Sequence, residues 1–289
     1  MKYKLTRGRL AFNIFNYSFL SLLSLAFLIP YWMILSASFT DELTLTRNGF
    51  ALIPKKLSLY AYEFILKSDP YMLLSIKNSI VMTVVGTLIT TMVCILFAYP
   101  LSRARLRGRK IMSLYMIFTM LFGGGLIPYY LVVTSFFTDS MWAIIIPGAM
   151  APFYAILLRN FFWTVPDSLE EAAKMDGASD FRVLLTIYIP LSMPVVATVV
   201  LFAAVAYWNN WVGPMLFLTS KEKYPIQYLI YQITSNITSI YGGGSGGNVL
   251  PSESVKMASV VLGSLPIIIL YPFLQRYFIN GMIIGGVKE

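Results

Sequence analysis

The sequence predicts an all-α membrane protein of six transmembrane helices, and three observations carry that expectation. Hydrophobic residues make up 57% of the 289 residues and charged residues 12%, with a mean hydropathy of +0.71, well outside the range of a soluble domain of this size. The apolar residues come in unbroken runs of the roughly 20 residues that a helix needs to cross a ~30 Å hydrocarbon core. Only helices and closed barrels satisfy their backbone polar groups in lipid, and runs of this length favour helices.

The expected spans are about 14–36, 72–100, 111–133, 141–162, 191–217 and 257–275, within a single transmembrane domain over 1–289. The first is long enough to cross and lacks the small-residue site of a cleaved signal, so it reads as a membrane helix. The third contains Gly123-Gly124-Gly125, which has neither the strand nor the lysine of a phosphate loop and predicts a bend instead. In the fifth, Gly213 and Pro214 are expected to interrupt the helix and open its backbone to a cavity. Between the fifth and sixth lies a long outer connection, 218–256, whose middle, Gly242 to Gly247, is glycine-rich.

Charge sets the expected orientation. The net charge is +9, from 22 Lys and Arg against 13 Asp and Glu. Lys2, Lys4, Arg7 and Arg9 precede the first span, and Arg103, Arg105, Arg107, Arg109 and Lys110 fill the second-to-third connection, so both segments and both termini are expected in the cytoplasm. Alternation then places 163–190 there too, with 37–71, 134–140 and 218–256 outside, where Lys55, Lys56, Lys67, Lys221 and Lys223 dilute the asymmetry. The charge is a topology signal; a soluble basic face for nucleic acid is missing.

Several chemistries are excluded by composition. The chain has no histidine and one cysteine, Cys94, inside the second span, so no imidazole or thiolate metal site and no His-based triad can be built. The spans carry no clustered carboxylates and no nucleotide-binding G-x-x-x-x-G-K-[ST] loop occurs, so neither a membrane-embedded enzyme nor an ATPase is expected. No cofactor or metal is assigned to this chain.

The informative segment is the polar insert at 163–190. Pro166, Asp167 and Ser168 stop one helix and start another, Ser168 and Glu171 stand in S-x-x-E register, and Glu170 and Glu171 suit the positive helix end. Gly177 predicts the C-terminal cap. A short helix is therefore expected over 168–176, with Leu169, Ala172, Ala173 and Asp176 on a small, smooth face. A second turn over 180–186 should place Phe181, Leu184 and Leu185 on one side. On these signals alone, the insert is either a connector or a docking element.

The spacing Glu171-Ala172-Ala173, three residues, Gly177, nine residues, Ile187-x-Ile189-Pro190 resembles the E-A-A-x3-G-x9-I-x-L-P signature of ABC importer permeases, with Ile189 in place of leucine. Leu158-Arg159-Asn160-Phe161-Phe162, Tyr207-Trp208-Asn209-Asn210-Trp211, Asn78-Ser79, Ala98-Tyr99 with Arg103, and Gln275-Arg276-Tyr277-Phe278 are similar to MalG-like carbohydrate permeases. Phe122 to Pro128 resembles the LplC/YtcP-like branch associated with polysaccharide or complex oligosaccharide uptake.

The resemblance implies a type I ABC importer (MetI/MalG-like) fold whose cytoplasmic coupling helix docks on a separate ATPase. Glu170, Glu171, Ala172, Ala173, Asp176, Gly177, Arg182, Ile187 and Pro190 are the implied coupling residues. It also implies a distinct MalF-like second permease, two ATPase domains that hold ATP and Mg, an extracytoplasmic sugar-binding protein beside 224–241, and a plasma-membrane location. A peptide or polyamine importer of the same architecture is the alternative. Tyr207, Trp208, Asn209, Asn210 and Trp211 are candidate pathway residues: their amides and rings suit sugar hydroxyls and ring faces, or equally interhelical hydrogen bonds and an interfacial belt.

Overall fold

The computed structural model describes residues 7–68, 70–241 and 253–285. Lys2, Lys4 and the glycine-rich stretch from Gly242 to Gly247 lie outside them. The described residues are helical, with an isolated antiparallel bridge between Thr40 and Leu57. In chain order the helices are α1 (Arg7–Ser38), α2 (Glu42–Asn48), α3 (Tyr60–Ser68), α4 (Met72–Ser102), α5 (Arg109–Leu121), α6 (Leu126–Phe136), α7 (Trp142–Gly148), α8 (Pro152–Phe162), α9 (Asp167–Met175), α10 (Asp180–Val183), a π-turn (Leu184–Tyr188), α11 (Ile189–Leu191), α12 (Met193–Trp208), α13 (Val212–Phe217), a 3₁₀ turn (Lys221–Lys223), α14 (Ile226–Tyr241) and α15 (Glu253–Gly285).

By length and composition, three helices among the described residues can cross a membrane, at Gly8–Ser38, Met72–Ser102 and Trp142–Phe162, and the number is five if each of two bent pairs counts as one. The sixth expected run lies within α15. The glycine bend is sharp: α5 and α6 meet at 111°, with Gly125 at φ +88°, a conformation that favours glycine. Pro214, by contrast, sits inside α13, and the interruption falls earlier, at Asn209 to Trp211. The outer stretch read as a loop contains the helix α14.

The chain divides into two compact units. The first holds 1–70 with 233–264. There α1 exposes apolar side chains along its length, Phe15 at 70% and Phe27 at 73%, as a lipid-facing helix does. Its C-terminal half is tied by hydrogen bonds from Trp32 Nε1 to Leu52 O at 2.8 Å and between Ser38 Oγ and Tyr62 OH at 2.8 Å. The Glu42 carboxylate accepts from the backbone N–H of Glu253 and Ser254, at 3.1 and 2.9 Å, and so caps α15 from outside the helix.

The second unit, 71–232 with 265–289, is built on α4. Ser75, Ser79, Met82, Gly86, Thr90, Cys94 and Ala98 recur at three- or four-residue spacing and are all buried, a mostly small face that lets α8 and α12 approach closely. Its polar groups serve backbone that neighbouring helices leave unpaired. Where α7 gives way to α8, Thr90 Oγ1 donates to Gly148 O at 3.3 Å and Cys94 Sγ to Ala151 O at 3.7 Å. Asn78 Nδ2 donates to Glu222 O at 2.7 Å, and Ser79 Oγ accepts from Ile226 N–H at 2.7 Å, the first residue of α14. Tyr207 of α12 crosses this face, its hydroxyl 2.9 Å from Thr90 Oγ1.

At the loop after α6, Asp139 adopts φ +47° and its carboxylate accepts from the N–H groups of Thr219 and Ser220, Ser220 Oγ and Lys223 Nζ. The Lys223 and Ser220 hydrogen bonds hold its carboxyl far below the ordinary carboxylate range. A local sequence pattern offers no hint of this joint, because its partners are about eighty residues away.

A Cβ at Gly86 would lie 2.7 Å from the Tyr207 ring, and one at Gly148 2.9 Å from its hydroxyl. Gly86→Val is therefore expected to destabilise the protein by about 1–3 kcal/mol through overpacking, read as a lower Tm in detergent, whereas Gly123→Ala, whose Cβ meets nothing within 4 Å, should leave Tm nearly unchanged.

Candidate functional site

The insert folds as α9, α10 and the π-turn, held to the end of α4 by a buried charge cluster. The helix α9 starts at Asp167, one residue earlier than expected, with Pro166 at the N-cap position. Ser168 is consequently already helical, its hydroxyl caps nothing, and the reciprocal Ser168–Glu171 cap does not form. The C-terminus matches expectation in detail. Gly177 has φ +80°, its N–H donates to Lys174 O at 3.0 Å, and Ala178 N–H reaches back to Ala173 O at 2.9 Å, the paired hydrogen bonds of a Schellman ending.

Glu170 points inward and is 7% exposed. Arg103, 5% exposed at the C-cap of α4, meets it: Nη1 donates to Glu170 Oε2 and Asp167 Oδ1, each at 3.0 Å, and to Tyr188 OH. The rest of the guanidinium is satisfied by Phe162 O and Ser102 Oγ, both at 3.0 Å. Tyr188 OH donates to the same Glu170 oxygen at 3.1 Å, and its ring lies under the Arg103 guanidinium at 4.4 Å. On the outer edge, Lys174 and Arg105 bind Glu170 Oε1 at 2.6 and 3.2 Å and both also reach Asp180.

Burial alone would raise the Glu170 pKa, but the Lys174 and Tyr188 hydrogen bonds and the charges of Lys174 and Arg103 outweigh it and hold the carboxyl below its ordinary 4.5. Tyr188 reaches the cluster because the chain widens into the π-turn, where Ile189 N–H bonds to Leu184 O. One inserted residue rotates the downstream helix by about 100°. Pro190, which lacks an N–H, is the second residue after the turn, behind Ile189, and the chain then bends by 85° into α12.

The implied coupling residues divide between two faces. Glu171, Ala172, Asp176, Gly177, Arg182 and Pro190 are exposed or half-buried; Asp176 and Arg182 form no ion pair among the described residues. Ala173 and Ile187 instead pack against the core, and Glu170 is consumed by the cluster. The expected one-sided apolar turn does not occur, since Leu184 is buried at 2% while Phe181 and Leu185 are exposed. Those two, with Leu169 and the 89% exposed Met175, give the outer surface of the insert large apolar side chains.

The candidate pathway residues also separate. A cavity of about 420 Å³ is lined by Asn210 and Tyr207 together with Thr90, Tyr129 and Tyr154 among others. Asn210 Oδ1 accepts from Gly213 N–H at 2.9 Å. Asn209 is the C-cap of α12, Trp208 is buried away from this cavity, and Trp211 stacks on Tyr231 with ring centroids 4.5 Å apart. Sequence reasoning missed Tyr129 and Tyr154 as cavity residues and Tyr188 as the partner of Arg103; Tyr188 is the unspecified position of the I-x-I-P element, so no motif marks it.

Residues 7–284 match the family described as "Binding-protein-dependent transport system inner membrane component". The chain belongs to that family and is a membrane permease component rather than an enzyme. It is 40% identical over 286 residues to "Protein LplC" of Bacillus subtilis (strain 168), covering 98% of this chain and 97% of the relative. It is also 40% identical over 281 residues to the "Polygalacturonan/rhamnogalacturonan transport system permease protein YtcP" of the same organism, covering 96% and 98%. A solved bacterial ABC transporter involved in the import of the acidic polysaccharide alginate contains a chain that matches with TM-score 0.80 and 32% identity, covering 96% of this chain and all of that one. The resemblance to carbohydrate permeases is borne out.

Removing one partner of a buried charge pair leaves the other uncompensated, so Glu170→Gln should destabilise by about 3–5 kcal/mol, while Glu171→Gln should stay within about 0.5 kcal/mol; thermal unfolding in detergent separates them. Because the folded Glu170 pKa lies below the unfolded one, its contribution is complete at neutral pH and is lost as pH falls through the folded value, and Glu170→Gln should flatten that acid-side loss of Tm.

Proposed function

We propose that this chain is the transmembrane permease subunit of an ATP-driven ABC importer in the cytoplasmic membrane, taking up an oligosaccharide or polysaccharide delivered by an extracytoplasmic solute-binding protein. The observation that carries the reading is the insert with the complete E-A-A to I-x-I-P spacing in a chain 40% identical, over nearly its full length, to a polygalacturonan/rhamnogalacturonan transport system permease protein. In this proposal residues 1–289 form one six-span domain with both termini in the cytoplasm. A distinct second permease completes the pore, and two partner ATPase domains bind ATP and Mg.

In this reading α9 is the coupling helix. Its exposed Ala172 and Met175, with Leu169, Phe181 and Leu185, meet a groove of the ATPase, and Glu171, Asp176 and Arg182 provide polar contacts at its edge, each worth only about 0.2–1 kcal/mol. A push on α9 passes through Glu170 to Arg103 and so to α4, which moves as one body with the insert. Asn210 and the tyrosines of the cavity offer amide, hydroxyl and ring contacts, and no charged side chain among the described residues lines it, a lining suited to sugar hydroxyls. The remaining pathway candidates, Trp208, Asn209 and Trp211, hold helices together.

Gentle purification of the tagged chain from its host is expected to bring down an ATPase, a second permease and a sugar-binding protein; recovery of the stable chain alone, repeatedly, would overturn the proposal. Gly177→Asp should insert and assemble normally yet lose sugar-dependent stimulation of ATP hydrolysis, because the left-handed cap of α9 becomes strained. Asn210→Asp keeps the oxygen that accepts from Gly213 but removes the amide donor, and should weaken uptake at low sugar concentration without reducing assembly.

A further inference from the structure

We propose that Arg109 and Arg159, which converge on Trp163, form a binding site for the phosphate of an anionic phospholipid in the cytoplasmic leaflet. The inference rests on the orientation of the permease reading above. Arg109 opens α5 and Arg159 lies in the last turn of α8; their guanidinium carbons are 4.8 and 5.7 Å from the Trp163 ring centroid.

What separates these two arginines from Arg103 and Arg105 is the absence of acid, and what separates them from Arg107 and Lys110, which also form no ion pair among the described residues, is their shared position at Trp163. Arg103 and Arg105 have their charges met by Asp167, Glu170 and Asp180, whereas neither Arg109 nor Arg159 forms an ion pair among the described residues. Arg159 uses neutral acceptors, Ser113 Oγ at 2.9 Å through Nη1, and Asn160 Oδ1 at 3.2 and 2.9 Å through Nε and Nη2, and each Nη keeps a second N–H. Arg109 Nη1 is out of solvent and has no hydrogen-bond partner, a costly state for a charged donor. Two cations around one indole, without a carboxylate, select an anion. Hydrocarbon is available beside it: Trp163 is 54% exposed and, in the first two turns of α5, Ile111 and Tyr115 are 75% and 67% exposed. A tryptophan at the end of an apolar helix, with arginines at the cytoplasmic side, marks the headgroup level. The apolar surround favours a phosphate that carries acyl chains over a free one.

The test uses the full chain purified in mild detergent, with native mass spectrometry of its binding to palmitoyl-oleoyl phosphatidylglycerol and, as control, the matching phosphatidylcholine. Wild type is expected to bind phosphatidylglycerol preferentially, and Arg109→Gln with Arg159→Gln to bind it about thirtyfold more weakly, at ~1 kcal/mol per basic residue. Arg109→Lys with Arg159→Lys should retain most of the preference, which separates loss of charge from misfolding. Unchanged phosphatidylglycerol binding by the glutamine variant overturns the proposal. So does displacement of the lipid by inorganic phosphate, which would identify a free-anion site, and so does loss of the co-purifying ATPase with lipid binding intact, which would identify a protein interface. Lys110→Cys in a Cys94→Ser background, treated with an impermeant maleimide, should label only in inverted vesicles; labelling from outside would overturn the orientation while leaving the lipid measurement readable.

Discussion

The geometry of the polar insert depends on one buried arginine. Helices α9 and α10 have nine and four residues, fewer than the ~12–15 that an isolated helix needs to be even marginally stable, so their position comes from tertiary anchors. Arg103 provides the main one. Its planar fork reaches a carboxylate pair, a backbone carbonyl, a serine and a phenol at once, which a lysine's point charge cannot reproduce. Burying that charge costs several kcal/mol on its own, and the cost is offset only while every acceptor stays in place. Loop and membrane helix are thereby made one mechanical piece.

A second constraint acts inside the membrane unit. Bends and breaks at 122–125, 149–151, Ser192 and 209–211 release backbone groups at positions where lipid offers no partner. The side chains of α4 take up part of that demand, with Thr90 and Cys94 at the α7–α8 break and Ser79 and Asn78 at the start of α14. The same small side chains permit the close approach that such short bonds require. Cys94, in sequence only a lone apolar thiol, thus has a specific acceptor.

Much of the architecture was legible in the sequence because hydrophobic length and punctuation are local. The apolar runs located the helices, three successive glycines located the sharpest bend, and Gly177 identified the end of α9. The Ser168–Glu171 cap failed because helix starts are uncertain by a residue, and one residue separates a cap from a first-turn position. Glu170 rather than Glu171 turned out to be the buried member of the pair, since only the docked helix shows which of two adjacent carboxylates faces Arg103.

The boundary between the two sources of information is therefore one of range. Composition, periodicity and the E-A-A spacing were sufficient for the membrane environment, the helical class, the family resemblance and the cap at Gly177, each of which depends on residues close in sequence or on their sum. The Arg103–Glu170–Tyr188 cluster, the Asp139 joint, the Tyr207 crossing and the Asn210 cavity join residues up to about 120 positions apart. Such contacts follow from how helices pack, and packing is fixed by shape complementarity across the whole unit rather than by any local pattern.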